Sequence, residues 1–194
     1  YHHFKRLVNQ DDIDNALMTY QEVFENTYHH GLCQKLGIKP SHQAIQLGYR
    51  LLMLMQNECL DYTNTFRALI AVADHGENRT QFTHEYTLLA NLTHALSVTS
   101  YDIWQNWVND YLDCLKQQST KQTAIKTLQQ TNPIYILRNH MAERAIVSAH
   151  QGDFDEVARL FALLDNPYQQ QTIATVDDTR MAFANEAVAV SCLS

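Results

Sequence analysis

Ten histidines, four cysteines and the run Gln151-Gly152-Asp153-Phe154-Asp155 are the residues of this 194-residue chain whose types invite chemistry. Histidine would most readily hold a metal, but the spacing is against it. His2-His3 and His29-His30 are adjacent pairs, and neighbours on a helix point about 100° apart, away from any shared ion. No H-E-x-x-H or E-x-x-H can be written, and His84 and His94 have only Glu85 beside them. The Gly152-Asp153-Phe154 run superficially resembles a kinase metal-binding D-F-G, yet Asp155 stands where the glycine belongs, and helix capping explains Asp153. No G-x-S-x-G elbow is present and no cysteine lies in an activated setting. The five glycines (31, 37, 48, 76 and 152) never fall within five residues of each other, so no phosphate-cradling loop can be built. The residues therefore assign no catalytic, no cofactor-binding and no metal position, and no cofactor is expected to be bound by this chain.

Composition narrows the partners. Lys plus Arg total 14 against 21 Asp plus Glu, for a net charge of −7, so no basic stripe offsets phosphate repulsion and nucleic acid is not an expected partner. The longest aliphatic stretch is Leu51 to Met55, far short of the roughly 20 apolar residues that span a bilayer, so no membrane partner is expected. No basic stretch followed by an apolar run stands at the start of the sequence, so no secretory signal is expected, and Cys33, Cys59, Cys114 and Cys192 form no C-x-x-C. A reducing cytoplasm is the expected setting.

Few breakers and many Leu, Ala, Gln and Met residues predict an all-α, irregular multi-helix domain over residues 1–168, followed by a mostly irregular, extended tail over 169–194. A first helix should begin near Asp11, with Ile13, Leu17, Tyr20, Phe24 and Tyr28 on one face, and end at Gly37 and Pro40. Ser41 should cap a second, and Asp61 to about Ala73 should form a third. Gln81 to Leu96 is ambiguous between helix and loop. Trp104, Trp107, Tyr111 and Leu115 make the apolar stripe of the next helix, and core packing rather than a ligand platform is expected of the tryptophans. A short polar helix spans Lys121 to Gln130. Asn132-Pro133 reads as N-cap and first position of a helix running to His150. Asp153 caps a last helix carrying Phe154, Val157, Leu160, Phe161 and Leu164.

On the helix expected from Pro133, Arg138 falls amid Ile134, Leu137, Met141 and Ala145. A guanidinium there must snorkel out, meet a carboxylate, or contact a partner domain or anionic ligand.

Four blocks resemble one family. Leu60-Asp61-Tyr62-Thr63-Asn64-Thr65-Phe66-Arg67-Ala68-Leu69 is similar to the D-Y-T-x-T-F-R-x-L block of the selenoprotein O family, also called YdiU. Asn132-Pro133-Ile134-Tyr135-Ile136-Leu137-Arg138-Asn139 resembles its N-P-x-Y-x-L-R-N block. Gly152-Asp153-Phe154 through Asn166-Pro167-Tyr168 resembles the stretch that follows, and Val190-Ser191-Cys192-Leu193-Ser194 the bacterial V-S-C-S-S terminus. The resemblance implies the C-terminal helical part of a protein nucleotidyltransferase with a kinase-like fold, which moves AMP, or UMP, from a nucleoside triphosphate to protein hydroxyls. It implies ATP with Mg or Mn for the full-length family, with the catalytic residues upstream of these four blocks. The partners it implies are that upstream kinase-like half and protein substrates. A free-standing helical interaction module without activity is the alternative.

The resemblance also makes Cys192 a redox handle whose disulfide partner would lie in the upstream half, since Ala189 stands three before it where animal members have a C-x-x-U arrangement. Cys33, Cys59 and Cys114 are expected as small apolar fillers. By the same blocks, Asp61 is the leading carboxylate for Arg138.

Overall fold

The computed structural model describes residues 9–75, 98–118 and 120–180. Among these are seven α-helices, one short 3-10 turn and no strand, so the all-α expectation holds. Helix α1 (Gln10–Lys35) is capped by Asn9, whose side chain accepts from the Asp11 amide; Asp11 and Asp12 then lie where the helix dipole favours negative charge. Gly37 ends it with φ +70, in a conformation that disfavours side chains. A Cβ there would also come within 3.1 Å of the Ala124 carbonyl oxygen. Helix α2 (His42–Asn57) starts at Ser41, whose hydroxyl accepts from the Ala44 amide at 3.2 Å. Helix α3 (Tyr62–His75) is capped by Asp61, which accepts from the Asn64 amide at 2.8 Å. Helices α4 (Val98–Gln118) and α5 (Lys121–Thr131) complete the first group.

These five elements share one core. Leu36 at the end of α1, Leu47 and Leu51 of α2, Phe66 and Leu69 of α3, Trp104, Trp107 and Tyr111 of α4, and Leu128 of α5 are among its fully buried members. The tryptophans pack as expected. Trp107 donates its indole N–H to the Leu47 carbonyl at 3.0 Å, and Tyr111 donates its hydroxyl to the Leu36 carbonyl at 2.9 Å, so each of these buried polar tips is satisfied. The close approach of α1 to α2 needs Gly48, because a Cβ there would lie 2.5 Å from Leu32 Cδ2.

A second, smaller core joins α6 (Asn139–His150) to α7 (Asp155–Asp165) through Met141, Ala145, Leu160 and Leu163, with Tyr135 buried beside them. Here the structure corrects the sequence reading. Residues 133–138 are irregular rather than helical, and α6 begins only at Asn139. Asn132 is the C-cap of α5, with φ −103 and ψ 108, as a residue before proline prefers. Its buried side chain donates to the Lys35 carbonyl at 2.9 Å, tying α5 to the end of α1. The Ile134 amide donates to the Pro167 carbonyl at 2.7 Å, so two N-P segments meet and replace the first helical turn. The face expected on α7 is also shifted: Leu160 and Leu163 are buried, while Phe154, Val157 and Phe161 are exposed. The first-helix face of Leu17, Tyr20, Phe24 and Tyr28 forms at the expected spacing but is exposed. The segment 81–96 lies outside the described residues.

Candidate functional site

Three of the four family-like blocks converge on two clusters of charge. In the first, Arg138 precedes α6 in extended conformation, with φ −92 and ψ 152, which aims its side chain back at the start of α3. Its Nη1 donates to Asp61 Oδ2 at 2.6 Å and its Nη2 to Asp61 Oδ1 at 3.2 Å. The two side chains are only 9% and 10% exposed. Asp61 Oδ1 also takes the Asn64 amide, so one carboxylate caps a helix and holds a guanidinium from 77 residues away. Burial pushes the Asp61 carboxyl upward, but the Arg138 hydrogen bonds and the Asn64 and Thr63 amides outweigh it and hold the group below its ordinary value. Arg138 Nε is buried with no partner. The expected pairing is present, though its cause differs: Arg138 reaches Asp61 from an extended segment, not from an apolar helix face.

The second cluster was not expected from the sequence. Asp178, fully buried in the 3-10 turn Val176–Asp178, accepts both Nη groups of Arg159 at 2.8 and 2.9 Å. It also accepts the Thr175 amide at 2.7 Å and the Thr175 hydroxyl at 3.1 Å. Glu156 takes Arg159 Nε at 2.7 Å and Arg144 Nε at 3.0 Å, and Arg144 Nη1 reaches Asp177 at 3.3 Å. Burial would raise the Asp178 carboxyl; the Arg159 and Thr175 hydrogen bonds outweigh it and hold it low. The Arg159 hydrogen bond does the same for Glu156, and the two carboxylates together push the Arg159 guanidinium further up. A signal was present in the sequence: Thr175-x-x-Asp178 is a capping-box spacing, and both of its reciprocal hydrogen bonds form.

A cavity of about 380 Å³ opens beside this cluster, lined by Arg144, Glu156, Arg159, Thr175, Val176 and Asp177. Each lining guanidinium already faces a carboxylate, so its donors are spent on holding the segment 175–178 against α6 and α7. The hydroxyl–carboxylate contact of the second cluster, Thr175 Oγ1 to Asp178 Oδ2 at 3.1 Å, joins a carboxylate already engaged by Arg159 and the Thr175 amide, and so holds the 3-10 turn. Among the described residues no group of three or more His, Cys, Asp or Glu is arranged to hold a metal ion. None of the helices formed by described residues is long and apolar enough to cross a membrane.

Cys33 and Cys114 are buried, and burial pushes both thiols up. Cys59 departs from expectation. It is exposed between α2 and α3, at φ +52, where the Leu60 amide turns back to the Met55 carbonyl at 2.9 Å and closes the end of α2. Cys192 lies outside the described residues. Under native conditions Cys59 should therefore react with a thiol reagent more than about tenfold faster than Cys33 or Cys114. Equal rates, read by mass spectrometry of the labelled peptides, would contradict this burial pattern.

Two packed helical cores, bridged by the buried Asp61–Arg138 pair, with a second Arg–carboxylate cluster inside the smaller one, define an all-α domain built from blocks distributed across the chain. A family model described as "Protein adenylyltransferase SelO" matches residues 1–165, and the chain belongs to that family. It is 31% identical over 183 residues to a "Protein nucleotidyltransferase YdiU" of Vibrio vulnificus, covering 88% of this chain and 34% of the relative. A protein of the same description from Pseudomonas fluorescens is 31% identical over 171 residues, covering 85% and 32%. One from Burkholderia ambifaria is 29% identical over 163 residues, covering 83% and 29%. The chain spans about a third of the length of the curated relatives it matches.

Proposed function

We propose that this chain is the C-terminal helical portion of a protein nucleotidyltransferase, one that transfers AMP, or UMP, from a nucleoside triphosphate to protein hydroxyls. The observation that carries the reading is the family match over residues 1–165, alongside relatives described as protein nucleotidyltransferases of which the chain covers a third. The catalytic groups belong to the other two thirds. Nucleotidyl transfer needs clustered charge-stabilising groups and metal ligands. The described residues offer no such metal group, and their arginines are committed to carboxylates or backbone carbonyls. ATP and Mg or Mn therefore do not fit the described residues. What these residues supply is a rigid helical body, locked at Asp61–Arg138 and Arg159–Asp178.

Calorimetric titration of the isolated chain with ATP and Mg²⁺ should show no site tighter than about 100 µM. Mixed with the remaining two thirds of the Vibrio vulnificus relative and radiolabelled ATP, the chain should raise protein labelling above that of either part alone. The reading frame upstream of Tyr1 should encode a glycine-rich loop and a metal-binding D-F-G. A tight ATP site on the isolated chain, or an upstream frame without these motifs, would defeat the proposal.

A further inference from the structure

Helix α1 presents a face that no described residue covers. Along its whole length only Leu32 and Cys33 are buried, both near its C-terminal end. Leu17, Tyr20, Phe24 and Tyr28 follow at steps of three and four residues, all exposed, Tyr20 at 67% and Phe24 at 56%. The three aromatic rings form a row, with centroids 6.1 Å apart from Tyr20 to Phe24 and 6.2 Å from Phe24 to Tyr28. Tyr28 carries the row on to Tyr49 of α2 at 6.3 Å. Most helix stability in proteins comes from packing an amphipathic face, and an exposed apolar row with a polar rim marks an interaction surface.

The rim selects the occupant. Asp14 and Glu25 flank this row, Asp11, Asp12 and Glu22 add negative charge farther round the helix, and α1 contains no Lys or Arg before Lys35. A second copy of α1 would set acid against acid, and an anionic lipid surface would be repelled in the same way. The complement is an apolar protein surface with a Lys and Arg rim. We propose that the Leu17–Tyr28 face of α1 is a docking surface for such a basic-rimmed apolar surface, carried by the part of the SelO/YdiU polypeptide that lies outside this chain. The identity of that carrier rests on the nucleotidyltransferase reading above; the docking face rests on α1 itself. The relatives are long enough to supply the carrier, since this chain covers 34% of the Vibrio vulnificus protein.

The test titrates the intact chain with a labelled amphipathic helical peptide bearing a leucine stripe flanked by lysines, and with the same peptide flanked by glutamates. The lysine peptide should bind at least about tenfold tighter at low salt, and the preference should shrink as salt screens the rim. Phe24→Asp should abolish that binding, while Phe161→Asp, at a still more exposed position of α7, should leave it unchanged. Equal binding of the two peptides, or equal effects of the two variants, would overturn the docking face. So would a dimer in sedimentation that Phe24→Asp dissolves, or capture by phosphatidylserine vesicles. A photo-crosslinker at position 24, but not at 161, should join the chain to the remaining two thirds of the Vibrio vulnificus relative. No crosslink beside intact peptide discrimination would overturn the carrier. Failed nucleotidyl transfer with the crosslink present would instead count against the enzymatic reading alone.

Discussion

Arg138→Ala is expected to lower the unfolding free energy by about 3–5 kcal/mol, the usual cost of orphaning a buried charge. Asp61 would be left about nine-tenths buried with the backbone amides of Asn64 and Thr63 as its partners, too little to offset the lost guanidinium. The loss is a large share of the roughly 5–15 kcal/mol a domain possesses. Asp61→Asn separates the two duties of that carboxylate. Asparagine caps a helix about as well as aspartate, so the α3 cap survives while the charge opposite Arg138 disappears. Its cost should approach that of Arg138→Ala, and the double variant should cost less than the two singles combined. Urea unfolding followed by circular dichroism reads all three, and an Arg138→Ala midpoint equal to wild type would show the pair contributes nothing.

The pair also sets an acid limit. Asp61 titrates below its ordinary value of 3.8 in the folded chain. Its contribution is therefore fully present above that pH and is lost as pH falls through the lower folded value. The wild type should accordingly lose stability relative to Asp61→Asn on acidification below about pH 4.

Local rules made parts of this fold legible. Ser41 announces a helix start because an N-cap is short-range chemistry, and the Trp104–Leu115 stripe announces a buried face because its period matches a helix. A carboxylate was one of three outcomes the sequence allowed for Arg138, and only the family-like blocks pointed to Asp61. The route to it was not legible. Asn-Pro suits a helix start and an extended segment equally well, and the choice was made by the Lys35 carbonyl, 97 residues from Asn132, and by the Pro167 carbonyl. Periodicity likewise shows that Leu17, Tyr20, Phe24 and Tyr28 share a face, but not whether anything covers it. Phe161 was misplaced for a related reason: hydrophobicity alone does not tell the face that meets α6 from the face that meets water. Asp178 was missed despite its capping-box spacing, because a box around a single 3-10 turn has no apolar run behind it to draw notice.

Asp178→Ala should have the other large effect, again about 3–5 kcal/mol, felt first in α6, α7 and residues 171–180. The side chain is fully buried and accepts four hydrogen bonds, two from Arg159 and two from Thr175. Removing it leaves Arg159 with Glu156 and the Ile173 carbonyl, and leaves the Thr175 amide without its acceptor. Asp178→Asn should cost nearly as much, unlike a simple loss of charge at a surface. An asparagine keeps one oxygen and turns an N–H₂ group toward a guanidinium that can only donate. Glu156→Gln should cost distinctly less, because that side chain is more exposed and solvent screens its pairs. Hydrogen exchange resolves where the damage falls. Faster exchange confined to amides of α6, α7 and 171–180 is expected, with those of α2 and α4 unchanged, because the two groups of helices have separate cores. Uniform acceleration across both groups would mean that they unfold as one unit and that the Arg159–Asp178 cluster guards the whole domain; no acceleration at all would show the cluster to be dispensable.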